Sequence, residues 1–289
     1  MDQRVLQVGG VPEHFNMPWH LALHDQYFSK QGVQVNWKDY PEGTGTLMRD
    51  LREGTLDVAV ALTEGVVAEI VKTQSCRIVQ YYVTSPLRWG IHVAATTSYR
   101  QISDLKGKTF AISRPGSGSQ LMTYVLAQQE QWATDALVFE EIGTIDEARQ
   151  ALAAGAADGF LWEQSMTQPL VTNGEFRRIG TLDTPWPCFV VAVRTPLVDS
   201  PSVKILLAAL HQAVMQLQKD PEVAWAMIAE KYALPISEVQ SWWTRTQWAT
   251  DQRVERAVLG NVLDTLNRVG VITEMSAPEA LCGGECQLV

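Results

Sequence analysis

The chain has 289 residues, 46% hydrophobic and 19% charged, with 23 basic against 32 acidic side chains and a formal net charge of −9. That length allows one large or two modest domains with a sizeable core. The acidic balance and the lack of any Lys/Arg cluster argue against a nucleic-acid partner, and no apolar run approaches the ~20 residues that direct membrane insertion requires.

Met1-Asp2-Gln3-Arg4-Val5 passes straight into a strand, with neither the basic nor the apolar region of an export leader. The expectation is a cytoplasmic chain, or a periplasmic one if a leader has been removed. Arg4 to Val11 reads as the first strand, Met17 to Gln31 as a helix, and Val33 to Trp37 as the next strand. The loop Pro41 to Thr46 opens a helix carrying Leu47, Met48 and Leu51. Leu56 to Leu62 is a third strand, and Thr63-Glu64-Gly65 turns into the helix Val66 to Lys72. Ile78 to Thr84 and Trp89 to Ala95 are two further strand-like runs. Strands alternating with helices predict a mainly parallel sheet covered on both faces.

The most informative stretch is Lys106 to Trp132. Thr109 to Ile112 is a short apolar strand that breaks into Ser113-Arg114-Pro115-Gly116-Ser117-Gly118-Ser119, and an amphipathic helix follows. A strand, a small-residue turn and a helix leave the first-turn N–H groups unpaired. Gly116 and Gly118 permit close approach to the backbone, while Ser117 and Ser119 supply hydroxyls and an N-cap. From spacing alone this is either a ligand cradle or an ordinary capped turn; it is neither a P-loop nor a dinucleotide fingerprint. Leu137 to Ile142 (strand), Ile145 to Ala154 (helix), Ala157 to Trp162 (strand) and Phe189 to Val193 (strand) follow. From Ser202 to about Arg268 the pattern is helical, punctuated by Pro221 and Pro235. The tail beyond Met275 is expected to be poorly ordered.

Cys76 and Cys188 lie in apolar runs and read as buried thiols. Cys282-Gly-Gly-Glu-Cys286 is a metal pair, a disulfide or neither, with no second pair or histidine beside it. His20 and His24 stand at i and i+4 without a third ligand, so no metal and no cofactor is expected.

Four segments resemble the periplasmic-binding-protein-like (type II) superfamily, in its sulfonate, nitrate and thiamin-precursor branch. Leu51-Arg-Glu-Gly-Thr-Leu-Asp-Val-Ala-Val60 is similar to that branch's LxxGxLDVAV segment. Ser103 to Lys108, leading into a strand and the glycine-serine turn, resembles its second-lobe entry. Ala157-Asp-Gly-Phe-Leu-Trp-Glu163 resembles DAxxxWEP, with Gln164 in place of the usual proline. Pro18 to Val35 resembles its early helix, with Gln26 where a glycine usually stands. The resemblance implies an α/β, two-lobed fold of mainly parallel sheets flanked by helices, with a ligand cleft between the lobes. The first lobe would comprise residues 1–95 with 195–289, and the second 96–194.

In such folds ligands lie beyond the carboxyl ends of the strands. The loops that meet this description offer His14, Asn16, Thr44, Thr46, Thr63, Glu64, Arg114, Ser117, Gly118, Ser119, Trp162, Glu163 and Trp186 as ligand-binding groups. Arg88 is a second possible anion clamp, and Trp19 and Trp89 are either core or pocket. Carboxylates with tryptophans suit a heterocyclic amine such as an aminopyrimidine, with Trp162 stacked on its ring. The cradle suits a sulfonate, carboxylate or phosphate. The resemblance implies a solute-binding role, with a permease as partner if the chain is exported. The alternative is a cytoplasmic enzyme of pyrimidine- or menaquinone-pathway type using Glu64 or Glu163 as acid or base. The pyrimidine-forming branch carries a histidine after the third strand and a CCCFC segment. This chain has Leu62-Thr63-Glu64-Gly65 and Pro185-Trp186-Pro187-Cys188-Phe189 there, which argues against that activity; no catalytic set is assigned.

Overall fold

The computed structural model describes residues 5–289; Arg4, expected to open the first strand, lies outside the described residues. In chain order come β1 (Val5–Gly10), α1 (Met17–His24), α2 (Tyr27–Lys30), β2 (Gln34–Asp39), α3 (Thr44–Glu53), β3 (Val58–Leu62), α4 (Thr63–Thr73) and β4 (Cys76–Val83). Next are β5 (Arg88–Ala94), β6 (Thr109–Ile112), α5 (Gly118–Gln129), β7 (Val138–Glu141), α6 (Ile145–Ala154), β8 (Gly159–Glu163), α7 (Gln164–Thr172) and β9 (Phe176–Asp183). The chain ends with β10 (Phe189–Arg194), α8 (Pro201–Lys219), α9 (Pro221–Tyr232), α10 (Ile236–Trp243), β11 (Arg253–Val254), α11 (Arg256–Arg268) and β12 (Gln287–Leu288). Among the described residues no helix is long and apolar enough to cross a membrane.

Two compact units divide the chain: the residues up to Ser85 together with Trp186–Val289, and Pro86–Pro185. The first unit holds a five-stranded sheet in the order β2-β1-β3-β10-β4. β1 is parallel to β2 and β3, and β10 is antiparallel to both β3 and β4. Four strands therefore run one way and β10 alone runs back. The second unit repeats the scheme as β7-β6-β8-β5-β9, with β5 the reversed strand between β8 and β9. The expected boundaries after residues 95 and 194 fall too late. β5 is bonded only within the second sheet and β10 only within the first. Both are almost wholly buried, β10 as an apolar run up to Arg194 and β5 with His92 inside it, and burial on both faces does not encode which sheet, or which direction, a strand will join.

The connections fix what covers each face. In the second unit the step from β6 to β7 moves outward and the step from β7 to β8 moves back. Right-handed crossovers then put α5 and α6 on opposite faces. The α6 face holds a core of Ala111, Phe160, Phe176, Ala148 and Leu152, with Trp162 packed against it. α6 begins in a capping box in which Thr144 and Glu147 each satisfy the other's backbone N–H. β9 and α7 carry no clean period in the sequence. β9 is an edge strand, Phe-Arg-Arg-Ile-Gly-Thr-Leu-Asp, only half covered, and α7 contains Pro169.

The tail is ordered, contrary to expectation. Leu281 is fully buried, β12 pairs with β11, and Cys282 forms a bridge to Ile78 of β4. Its anchors are isolated residues within turn-like sequence, too sparse to give a period. The single helix expected from Met17 to Gln31 is instead two, α1 and α2, broken at Gln26 in the left-handed region with φ 60°. That conformation favours glycine, the residue the resembling family carries there. Gln26→Gly should therefore stabilise the chain by about 1 kcal/mol, read from the urea midpoint at unchanged slope. An unchanged or lowered midpoint would show that the Gln26 backbone is not strained.

Candidate functional site

Because four strands of each sheet run together, their carboxyl ends share one edge. Three of the four (β1, β2 and β3 in the first sheet, β6, β7 and β8 in the second) send the chain into a helix N-terminus there, while β4 and β9 lead on to the reversed strands β5 and β10. At that edge of the first sheet β3 ends at Leu62 and α4 begins at once with Thr63 and Glu64. The reversed strand β10 starts beside it, with Phe189 opposite Leu62. The segment preceding β10 is tied to the α4 turn: Thr63 N–H donates to the Cys188 carbonyl at 3.0 Å, and Thr63 Oγ1 to that of Pro187. The Thr63 hydroxyl proton is thus committed to the backbone and positions the turn. Thr44, the first residue of α3, accepts from Leu62 N–H at 3.4 Å. A Cβ on Gly65 would lie 2.5 Å from Thr44 Cγ2, so the first turns of α3 and α4 are in direct contact. Thr46 is half-buried in the same α3 turn.

Glu64 is the chemically unusual member. Its side chain is 3% exposed, Oε2 accepts from Trp186 Nε1 at 2.9 Å, and Oε1 has no hydrogen-bond partner among the described residues. Burial raises its pKa from 4.5 to about 7, against the weaker lowering effects of its backbone and Trp186 hydrogen bonds. Trp186 is itself buried, so the indole acts here as a donor.

The loop after β1 brings His14 and Asn16 to the same edge, both buried. Asn16 Nδ2 donates to the Val11 carbonyl at 2.7 Å and its Oδ1 is unpartnered; His14 Nε2 is unpartnered too. Desolvation lowers the His14 pKa to about 3, so the ring is neutral. Aromatic residues from distant sequence hold this loop. Tyr82 Oη and Trp248 Nε1 both donate to the Phe15 carbonyl, Tyr232 Oη donates to that of Glu13, and the Trp242 ring sits 4.2 Å from His14. Sequence reasoning missed this clamp; the signal available was three tryptophans, Trp242, Trp243 and Trp248, within one short stretch.

In the second unit the turn from β6 to α5 is a closed hydrogen-bonded loop. Ser117 caps α5 by accepting from Gln120 N–H, Ser119 Oγ accepts from Ser113 N–H at 3.0 Å, and the two hydroxyls lie 3.0 Å apart. Gly116 N–H donates to Gln120 Oε1 at 2.7 Å. One hydroxyl proton joins the serines, either of which can be the donor. The Gly118 and Ser119 amides, at the positive end of the helix, have no partner among the described residues. Arg114 lies half-buried in the same turn.

Glu163 and Trp162 end β8 on opposite faces of the strand. Glu163 Oε2 caps α7 through Met166 N–H at 2.7 Å, while Trp162 stacks on Phe160, centroids 5.3 Å apart, within the α6 core. The two therefore do not aim at one ligand ring from the same side. Trp89 stands opposite Glu163 in the ladder, buried, with Nε1 unpartnered. Arg88, read as an anion clamp, is instead held fork-to-fork by Asp183 at 2.7 and 2.8 Å. His24 is exposed against Asp25 and His20 packs on Trp37; among the described residues no three His, Cys, Asp or Glu side chains gather as a metal site.

With this geometry in hand, residues 89–182 match the model of the family described as Ca3427-like PBP. No curated protein matches the sequence. Among solved structures, the Candida albicans CA3427 gene product, described as defining a new family with the generic periplasmic binding protein fold, superposes with a TM-score of 0.88 at 23% identity, covering 99% of this chain and 98% of that one. The alkanesulfonate-binding protein SsuA from Xanthomonas axonopodis pv. citri, bound to MOPS, superposes at 0.79 and 17% identity over 96% and 97%. PhnD1 from Prochlorococcus marinus, in complex with methylphosphonate, gives 0.63 at 13% identity over 94% and 100%. The chain has the periplasmic-binding-protein fold, that of the type II superfamily its sequence resembles.

The Glu64 environment has a measurable consequence. Between pH 4.5 and about 7 the folded chain keeps a proton that the unfolded chain releases, so stability falls as pH rises through that window and levels off above it. The full effect is about 3 kcal/mol. Glu64→Gln removes it, so the variant should gain on the parent by about that amount between about pH 5 and about pH 8 in urea titrations. A stability difference independent of pH would show that Glu64 is not held protonated by burial.

Proposed function

We propose that this chain is a solute-binding-type protein that takes a small polar molecule bearing N–H donors, such as an amine or amino-heterocycle, on the carboxyl of Glu64. The carrying observation is the buried Glu64 Oε1, which has no partner among the described residues. Buried polar atoms in folded proteins are almost always bonded, and an open acceptor facing a helix-start turn is a place for a donor from outside the chain. Asn16 Oδ1 and His14 Nε2, unpartnered at the same sheet edge, add an acceptor and a donor or acceptor. In the second unit, the Gly118 and Ser119 amides suit an oxyanion, either a sulfonate or a carboxylate. The fold is shared with proteins that bind an alkanesulfonate and a phosphonate, which supports solute binding as the role.

A second reading rests on the same residue. A carboxyl with a pKa of about 7 is poised as a general base, and catalysis at Glu64 is the alternative. Glu163, occupied as a helix cap, offers less to that reading.

A thermal-shift panel of alkanesulfonates, phosphonates, carboxylates and aminopyrimidines tests both readings, since a ligand at 100 times its Kd adds about 2.7 kcal/mol. Hits are then titrated calorimetrically near pH 6 in buffers of different ionisation enthalpy. A cationic ligand should expel up to about one proton from Glu64 on binding, and none near pH 8. Glu64→Gln should weaken it by about 10- to 100-fold, the worth of a charge-assisted hydrogen bond. Equal affinity in Glu64→Gln would remove Glu64 from the site. Conversion of a hit to product would favour the catalytic reading.

A further inference from the structure

The C-terminal cysteine pair plays no part in the reading above, yet the fold brings it together. Cys282 follows the short turn Pro278–Leu281, whose last residue is fully buried. Cys282 bridges to Ile78 of β4, and Gly283 N–H donates to the Ile78 carbonyl at 3.0 Å. The chain then turns tightly. Gly284 has φ 64°, and Cys286 N–H returns to the Gly283 carbonyl at 3.3 Å. A Cβ on Gly283 would meet Val198 Cγ1 at 2.8 Å and Arg77 Cβ at 3.0 Å, so only glycine lets the turn lie this close to β4. Lys204 holds Glu285 at 2.7 Å from the other side. Within this fastened turn the Cys282 thiol hydrogen-bonds to the Cys286 sulfur, and both side chains are half-exposed.

We propose that Cys282 and Cys286 form a reversible thiol–disulfide site that, when oxidised, closes a ring within the C-terminal segment and so latches the start of β12 to the point where Cys282 is anchored on β4. A metal pair is the weaker use of the same sulfurs, because among the described residues no third His, Cys, Asp or Glu joins them. The other titratable groups at this place are Tyr81 and Glu255 beside Cys282, Arg77 beneath Gly283, and the Lys204–Glu285 pair on the turn itself. The oxidant required is a small-molecule disulfide. Cys286 as thiolate attacks one sulfur of glutathione disulfide and expels one glutathione thiolate, leaving a mixed disulfide. Cys282, deprotonated in turn, attacks the Cys286 sulfur and expels the second glutathione. Two protein thiols and one disulfide become one protein disulfide and two glutathione thiols, which carry away both protons. The hydrogen bond from Cys282 lowers the Cys286 pKa and raises its own, which makes Cys286 the first nucleophile. β12 starts directly after Cys286, and its flanking amides bond to β11 and its neighbours, Gln287 N–H to Gln252 and Val289 N–H to Val254. Closing the ring therefore fixes the start of β12. Cys76 and Cys188 are fully buried and act as internal controls.

The test equilibrates the whole protein with glutathione buffers of rising disulfide content and reads intact mass and peptides. Expected are the loss of two hydrogens per chain, reversed by dithiothreitol, and a covalent link between the peptides Ala280–Glu285 and Cys286–Val289 after cleavage with a glutamate-specific protease. Cys282→Ser should stop at a single glutathione adduct on Cys286. Amide exchange at Gln287 and Val289 should slow in the oxidised chain. Four thiols that stay reduced at every buffer ratio, a bridge to Cys76, or a stable mixed disulfide in the parent would overturn the site. Exchange unaffected by oxidation would overturn the latch.

Discussion

Strand direction is the constraint on which the candidate site depends. A sheet whose strands mostly run one way delivers every following helix N-terminus to one edge. The single reversed strand starts at that edge rather than ending there. In the first sheet that strand is β10, and the residues before it are held against the α4 turn by two bonds from Thr63. This is how Trp186, 122 positions along the chain from Glu64, becomes its hydrogen-bond donor. The local sequence of neither residue specifies the pairing; the reversal of β10 does.

The parts of the fold that were legible in the sequence are those with a local cause. β3, β6 and β10 are short apolar runs bounded by turns, and α6 announces itself by Thr144 and Glu147 at capping-box spacing. The glycine-serine turn was readable because Ser117 and Ser119 are small polar residues at a helix start. What stayed hidden was non-local. The sheet that β5 joins depends on partners that follow it by some seventy residues or more in sequence. Gln26 concealed a helix break because a left-handed conformation without glycine leaves no trace in composition. The order of the tail rests on single anchors such as Leu281, invisible to any periodicity.

The site residues divide along the same line. Their arrival at the carboxyl edges follows from strand–turn–helix order, which sequence pattern gives. Their state does not. Arg88 reads as a free cation until Asp183 is found across the ladder, and Trp162 reads as a flat face for a ligand until Phe160 is found beneath it. Thr63 and Glu64 are neighbours in one turn, yet the threonine hydroxyl is consumed by backbone while the carboxyl keeps an open oxygen.

Glu163 and Glu64, the two buried glutamates at strand-to-helix turns among the described residues, show how position and chemistry separate. Glu163 ends β8 and Glu64 opens α4, and both are buried at a strand-to-helix turn. Glu163 reaches forward to the Met166 amide, so its negative charge meets the helix N-terminus whose orphan donor it satisfies. Glu64 takes an indole N–H on one oxygen and leaves the other bare, in surroundings that raise its pKa to about 7. A carboxylate engaged in holding a helix is a poor receptor for an outside donor, because binding would first have to break the cap. A carboxyl that is already buried, oriented by Trp186 and short of one partner has no such bond to lose. Solvation was given up on folding, so a ligand donor recovers free energy that the chain alone leaves unrecovered. That asymmetry, rather than the presence of a glutamate after a strand, singles out Glu64.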